Sequence, residues 1–151
     1  MQRLVVVNLE SIEFRPNGSA TGIVYWDTNG LQFPEAAWND FVLTICNWWL
    51  EAALRLVRSE TSVEQLRFMD GPFWVILRKC DSTMEVSFID GGSGENVRGR
   101  FIFESHQVFA GLLDAMKRLA NYCRSVNVSD EETSKLQGGV AHLEALLEEK
   151  M

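Results

Sequence analysis

The stretch from Pro34 to Arg58 restricts the possible folds of this chain more than any other. Pro34 suits the first turn of a helix, and Glu35 follows where the helix dipole favours an acid. Projected at helical spacing, Trp38, Phe41, Val42, Ile45, Trp48, Trp49, Ala52, Ala53 and Leu56 fall on one face. Leu43, Leu50, Leu54 and Val57 widen that face, and the polar remainder is narrow: Asp40, Thr44, Asn47, Glu51, Arg55 and Arg58. A helix apolar over more than half its girth has to be nearly engulfed. It is expected at the centre of the molecule, packed on a sheet and flanked by other helices, with its tryptophans in the core.

Strand-like segments surround it. Arg3 to Phe14 and Thr21 to Asp27 form an expected antiparallel hairpin across the turn signal Pro16-Asn17-Gly18. Asn29-Gly30 ends the second strand. Val63 to Met69, Phe73 to Cys80, Met84 to Ile89 and Val97 to Glu104 follow. The segment from Phe73 to Cys80 is apolar on both faces and so interior, whereas the last two alternate and keep one wet face. Arg98 or Arg100 is placed to pair with Glu85 across the strands. From Ser105 the period changes to a helix reaching about Arg124. Ser129-Asp130-Glu131-Glu132 has capping-box spacing and opens a last helix carrying Leu136, Val140, Leu143 and Leu147. Gly138-Gly139 interrupts it, at about 1 kcal/mol per glycine relative to alanine, so this helix is expected to be broken or only partly docked. The order is ββαββββαα, an α+β fold with a mainly antiparallel sheet of about six strands and helices on one face. Residues 1–128 form the expected domain, and residues 129–151 an acidic C-terminal helix.

With 151 residues, 46% of them hydrophobic, the chain can bury one sizeable core. No apolar run is long enough for a membrane span, and the N-terminus lacks the features of a signal peptide, so a cytoplasmic location is expected. The net charge of −7 argues against nucleic acid as a partner. Residues 129–151 hold six acids against two lysines, −4 of that total.

Candidate chemistry is sparse. Cys46, Cys80 and Cys123 are far apart, without metal or disulfide spacing, and read as free, largely buried thiols. His106 and His142 lie in different helices with no ligand-spaced neighbours. Asp90 to Asn96 is glycine-rich but lacks the lysine and helix start of a phosphate loop, so it reads as a hairpin loop. No GxSxG surrounds Ser93. Asp40 and Glu51 lie about 16 Å apart on an ideal helix, too far for joint acid/base work, and read as a solvated face. Asp27 ends a strand and is expected to cap the following turn. No catalytic residue, metal or cofactor is assigned. Trp26 and Phe33 flank the turn and are expected to be partly exposed, as aromatic anchors of protein contacts are.

The strand end Trp26-Asp27, the Asn-Gly turn, Phe33-Pro34, Trp38, Asp40-Phe41 and Trp48 to Leu50, with the later Gly71-Pro72-Phe73 and a helix carrying Leu119 and Cys123, resemble small cytoplasmic immunity proteins of bacterial polymorphic toxin systems. The likeness covers residues 20–124, and the acidic segment from Ser129 lies outside it. It implies a catalytically inert protein that binds a cognate toxin domain, such as a basic nuclease, and blocks its active or essential surface. Trp26 and Phe33 would then be apolar anchors and Asp27, Glu35, Asp40 and Glu51 contact acids, in a monomer or weak homodimer. Two rival readings stand beside it. One is a small-molecule or peptide-binding domain, or an enzyme using a pocket between sheet and helix, with Arg78, Arg98 and Arg100 as anion ligands. The other is a structural assembly module.

Overall fold

A computed structural model describes residues 3–16 and 18–150; Asn17 of the expected first turn lies outside them. Eight strands and three helices are present among the described residues: β1 (Val5–Phe14), β2 (Ala20–Asp27), β3 (Gln32–Phe33), β4 (Asn39–Asp40), α1 (Val42–Val57), β5 (Val63–Arg67), β6 (Phe73–Cys80), β7 (Thr83–Asp90), β8 (Asn96–Glu104), α2 (Ser105–Ser125) and α3 (Glu131–Lys150). The class is α+β as expected, with about eight strands in place of six. The strands form two four-stranded antiparallel sheets. In the first, β1 pairs with β2, and the short β3 and β4 both pair with β2. The second runs β5-β6-β7-β8 as a meander.

Of the two extra strands, β3 lies just before the segment expected to begin the central helix and β4 lies within it. Residues 32–33 and 38–40 direct backbone hydrogen bonds to β2: Trp26 pairs with Phe33, Ile23 with Asn39 and Gly22 with Asp40. The Val24 N–H donates to the Trp38 carbonyl at 2.8 Å. A backbone committed to a neighbouring strand has no partners left for helix, so α1 begins at Val42 and not at Pro34. The Phe33–Pro34 peptide is cis.

From Val42 onward the helical reading holds. Val42, Leu43, Ile45, Cys46, Trp49, Leu50, Ala52, Ala53, Leu56 and Val57 are buried. The helix packs against β2, β5, α2 and α3, which is the engulfed central position its pattern demands. Trp48 departs from the projection and is 42% exposed. Trp49 is buried as expected, and its indole N–H donates to the Arg67 carbonyl at 2.8 Å.

Helix α3 is continuous through Gly138-Gly139, and Leu136, Val140 and Leu143 join the same core as the sheets. The expected break is absent because one glycine is a contact point: a Cβ on Gly139 would meet the Leu50 side chain at 2.3 Å. Close approach of α3 to α1 therefore compensates the poor helix propensity. The cap also lies one residue beyond the expected box. Asp130 accepts the Thr133 N–H at 2.8 Å, and the Thr133 hydroxyl accepts the Asp130 N–H at 2.9 Å. Glu132 instead accepts the Thr44 hydroxyl at 2.7 Å, and Glu51 pairs with Lys135 at 2.7 Å, so both acids fasten α3 to α1.

Candidate functional site

The segment from Trp26 to Asp40 starts at a tight hairpin. Asn29 and Gly30 both take positive φ, 38° and 127°, the conformation that an Asn-Gly pair supplies most readily between two strands. Thr28 N–H donates to the Leu31 carbonyl at 3.0 Å and closes the turn. Asp27 sits half-buried beside it and accepts from the Gln32 amide at 3.2 Å.

The aromatics expected at the surface are core. Trp26 and Phe33 are each 0% exposed. Phe33 stacks on Phe88 with ring centres 4.7 Å apart, and Trp26 meets the same ring edge-on at 6.2 Å. Strand alternation explains this. Trp26 points the same way as the buried Val24, and its register partner Phe33 must share its face. Trp26 and Phe33 are therefore brought together, but as the joint between the two sheets.

Asp40 is likewise internal, at 3% exposure, and not a solvated contact acid. It accepts from the Trp38 indole at 3.1 Å, the Phe41 N–H at 2.7 Å and the Asp70 N–H at 3.1 Å. One carboxylate thus ties β4, the start of α1 and the β5–β6 turn. Trp38 packs edge-on against Phe73 at 5.3 Å, and a Cβ on Gly71 would collide with Phe73 and touch Trp38. Glu35 is exposed in the loop before β4, and Glu51 is engaged with Lys135. Asp27, Glu35, Asp40 and Glu51 sit on four different parts of the chain: β2, the loop before β4, β4 and α1.

The surface feature beside the junction is an open groove of about 990 Å³. Its floor is Leu4, Phe101, Phe103, Ala110 and Gly111; its rim carries Arg3, Asp27, Thr28, Asn29, His106, Gln107, Asp114 and Arg118. The groove exists because α2 leaves β8 directly at Glu104 while the β2–β3 hairpin stands on the opposite side. Glu104 and Gln107 cap that helix reciprocally, side chain to backbone in both directions, which holds the groove's α2 wall. Asp114 receives Arg118 at 3.1 Å and Arg3 at 3.8 Å, so the rim presents two cations around one anion. A smaller groove of about 510 Å³ across β1 and β2 shares Arg3 and Arg118. Of the residues expected in the site, Asp27 alone lines either groove. Phe101 and Phe103 were missed as floor residues. Their alternation with charged neighbours marked an inward face, and the place where that face lacks a cover depends on tertiary packing.

No family model, curated protein or solved structure matches this chain.

The remaining candidates are held elsewhere. Arg98 pairs with Asp90, lies over the Phe73 ring at 5.5 Å and donates to the Pro34 carbonyl, while Arg78 and Arg100 flank Glu85 at 3.9 Å each. The three arginines line neither groove. The glycine-rich loop is explained by packing, since a Cβ on Gly91 would meet the Trp74 ring at 2.6 Å. Cys46 and Cys123 are buried and Cys80 is exposed. Burial pushes the Cys46 thiol up to about 12 and the Cys123 thiol up to about 11. His142 lies 2.9 Å from the Arg58 guanidinium, and His106 stands exposed on the groove rim. Among the described residues no group of three or more His, Cys, Asp or Glu is placed to hold a metal ion, and no helix is long and apolar enough to cross a membrane.

Proposed function

We propose that this protein is a non-catalytic, cytoplasmic immunity protein that binds a cognate bacterial toxin domain and blocks its active or essential surface, gripping it at the groove between α2, β8 and the β2–β3 hairpin. The observation that carries this reading is the meeting of the two stretches on which the resemblance rests. Trp38 and Asp40-Phe41 come from one; Gly71-Pro72-Phe73, about thirty residues on and directly after Asp70, come from the other. They close on each other through the Asp40 carboxylate and the Trp38–Phe73 contact. A pattern spread through the sequence is thus one structural unit, and the hairpin it supports forms a wall of the groove.

The groove suits a protein segment. Its aromatic floor supplies apolar contact area, and the rim of Arg3, Asp27, Asp114 and Arg118 supplies directional polar partners, the composition of a protein interface. The net charge of −7 would speed encounter with a basic toxin such as a nuclease, and does not invite nucleic acid itself. Binding is stoichiometric, with no bond made or broken.

A second reading has one observation in its favour. The groove's volume lies at the upper end of what small-molecule sites occupy, so a small ligand or short peptide would fit it. Co-purification separates the two. The toxin domain encoded beside this chain should be retained by it, and cells expressing that domain should be rescued. Failure of both sinks the immunity reading, and a metabolite found by mass spectrometry in the purified protein favours the second.

A further inference from the structure

Strand β8 is the outer strand of the second sheet. It pairs with β7 along its length, and its other edge meets no strand among the described residues. An open edge carries a row of unpaired N–H and C=O groups and is a template for another strand. Ile102 stands on this strand at 65% exposure, more than any other large hydrophobic side chain described. Around it the sequence reads Arg100-Phe101-Ile102-Phe103-Glu104, which is complementary to itself when run antiparallel.

We propose that β8 pairs edge to edge with β8 of a second copy of this chain, antiparallel, about a twofold axis at Ile102. In that register Ile102 opposes Ile102, Phe101 opposes Phe103, and Arg100 opposes Glu104, the last two pairs each occurring twice by symmetry. Arg100, Ile102 and Glu104 share the outer face and Phe101 and Phe103 the inner one, so every opposed pair lies on the same side. All five positions are then filled by aromatic, aliphatic or opposite-charge cross-strand pairs. The Arg100 side chain is 59% exposed and reaches Glu85 only at 3.9 Å, which leaves its guanidinium donors available. Glu104 also caps α2: its carboxylate accepts from the first turn and its N–H donates to the Gln107 side-chain oxygen at 3.1 Å, so at this end of the contact the pairing rests on the Arg100–Glu104 side chains, and a carboxylate has lone pairs for both tasks. A register centred on Phe101 is poorer, because it sets Arg100 against Ile102. Phe101 and Phe103 also floor the groove, so the second copy and a groove occupant meet at this strand. The pairing does not depend on the toxin reading and is tested on the protein alone.

The test is sedimentation velocity over a dilution series, with circular dichroism confirming that each variant folds. The wild type should show a dimer that dissociates on dilution, as a five-residue strand contact would. Arg100→Glu and Glu104→Arg should each weaken it by about tenfold, since two attractive pairs become repulsive. An equal mixture of these two variants should recover the dimer, because each chain supplies the charge the other lacks. Ile102→Lys, at an exposed position that folding does not need, should abolish it. Ile102→Cys in a Cys80→Ser background should oxidise to a covalent dimer. A monomer at every concentration, a dimer indifferent to Ile102→Lys and to the charge reversals, or an open-ended assembly would each overturn the proposal.

Discussion

A carboxylate withdrawn from water has to be supplied with donors, and Asp40 is supplied from three directions. Asp40→Ala leaves the Trp38 indole and two backbone N–H groups unpaired in a buried site, and should cost about 3 kcal/mol by urea denaturation. Trp38→Phe removes one of those donors and should cost less. Equal effects would mean that the carboxylate does not organise the junction. The thiols offer a check that needs no substitution. Cys80 is exposed and should react promptly with a thiol reagent in the folded protein. Cys46 and Cys123, buried and held protonated with their pKa values pushed up to about 12 and about 11, should react only as the chain unfolds.

At the level of elements, the amphipathic pattern located α1 from Val42 onward, the long strands and both later helices, because side-chain periodicity records which face is covered. It misplaced the start of α1, because residues 34–41 carry helical spacing while Trp38 to Asp40 bond through their backbone to β2. Nothing local to those residues announces a partner that lies more than ten positions earlier. The same limit explains Trp26, Phe33 and Asp40, read as surface and found inside: the sequence marked the turn they flank but not the second sheet that covers it. The glycine pair of α3 gives a prediction of opposite signs. A Cβ on Gly138 meets nothing within 4 Å, so Gly138→Ala should stabilise by up to about 1 kcal/mol. Gly139→Ala drives a methyl into Leu50 and should destabilise by about 1–3 kcal/mol despite better propensity. Thermal melts of the two variants shifting in the same direction would contradict the packing of α3 on α1. Another link, between α1 and β5, is pH-sensitive. Hydrogen bonding from Arg55, helped by Thr61, holds the Glu64 carboxyl below its ordinary value against the opposing effect of burial. A depressed folded pKa contributes stability that is fully present above the unfolded carboxyl pKa and is lost as pH falls through the folded one. Glu64→Gln should therefore flatten the acid limb of the stability–pH curve and leave its neutral-to-alkaline shape unchanged.

For the molecule as a whole, two sheets joined through Trp26, Phe33 and Phe88 enclose α1, and α3 closes the far side. That arrangement spends the aromatic wealth of the junction on the core and leaves the groove at α2 and β8 as the concave surface beside it. Interface energy concentrates in a few well-packed contacts, so filling the groove should matter more than altering any rim charge. Arg3→Ala or Arg118→Ala makes the chain more negative, so each should quicken association with a basic toxin and alter its salt dependence, with little change in the dissociation rate. Ala110 is exposed in the groove, and replacing it with tryptophan fills the space without touching the core. The decisive measurement is calorimetric titration of a candidate toxin domain, catalytically inactivated, with the wild type and with Ala110→Trp. A one-to-one complex that the substitution weakens by at least about tenfold, or about 1.4 kcal/mol, supports the groove as the gripping surface of an immunity protein. No binding by the wild type, or equal binding by both, contradicts it.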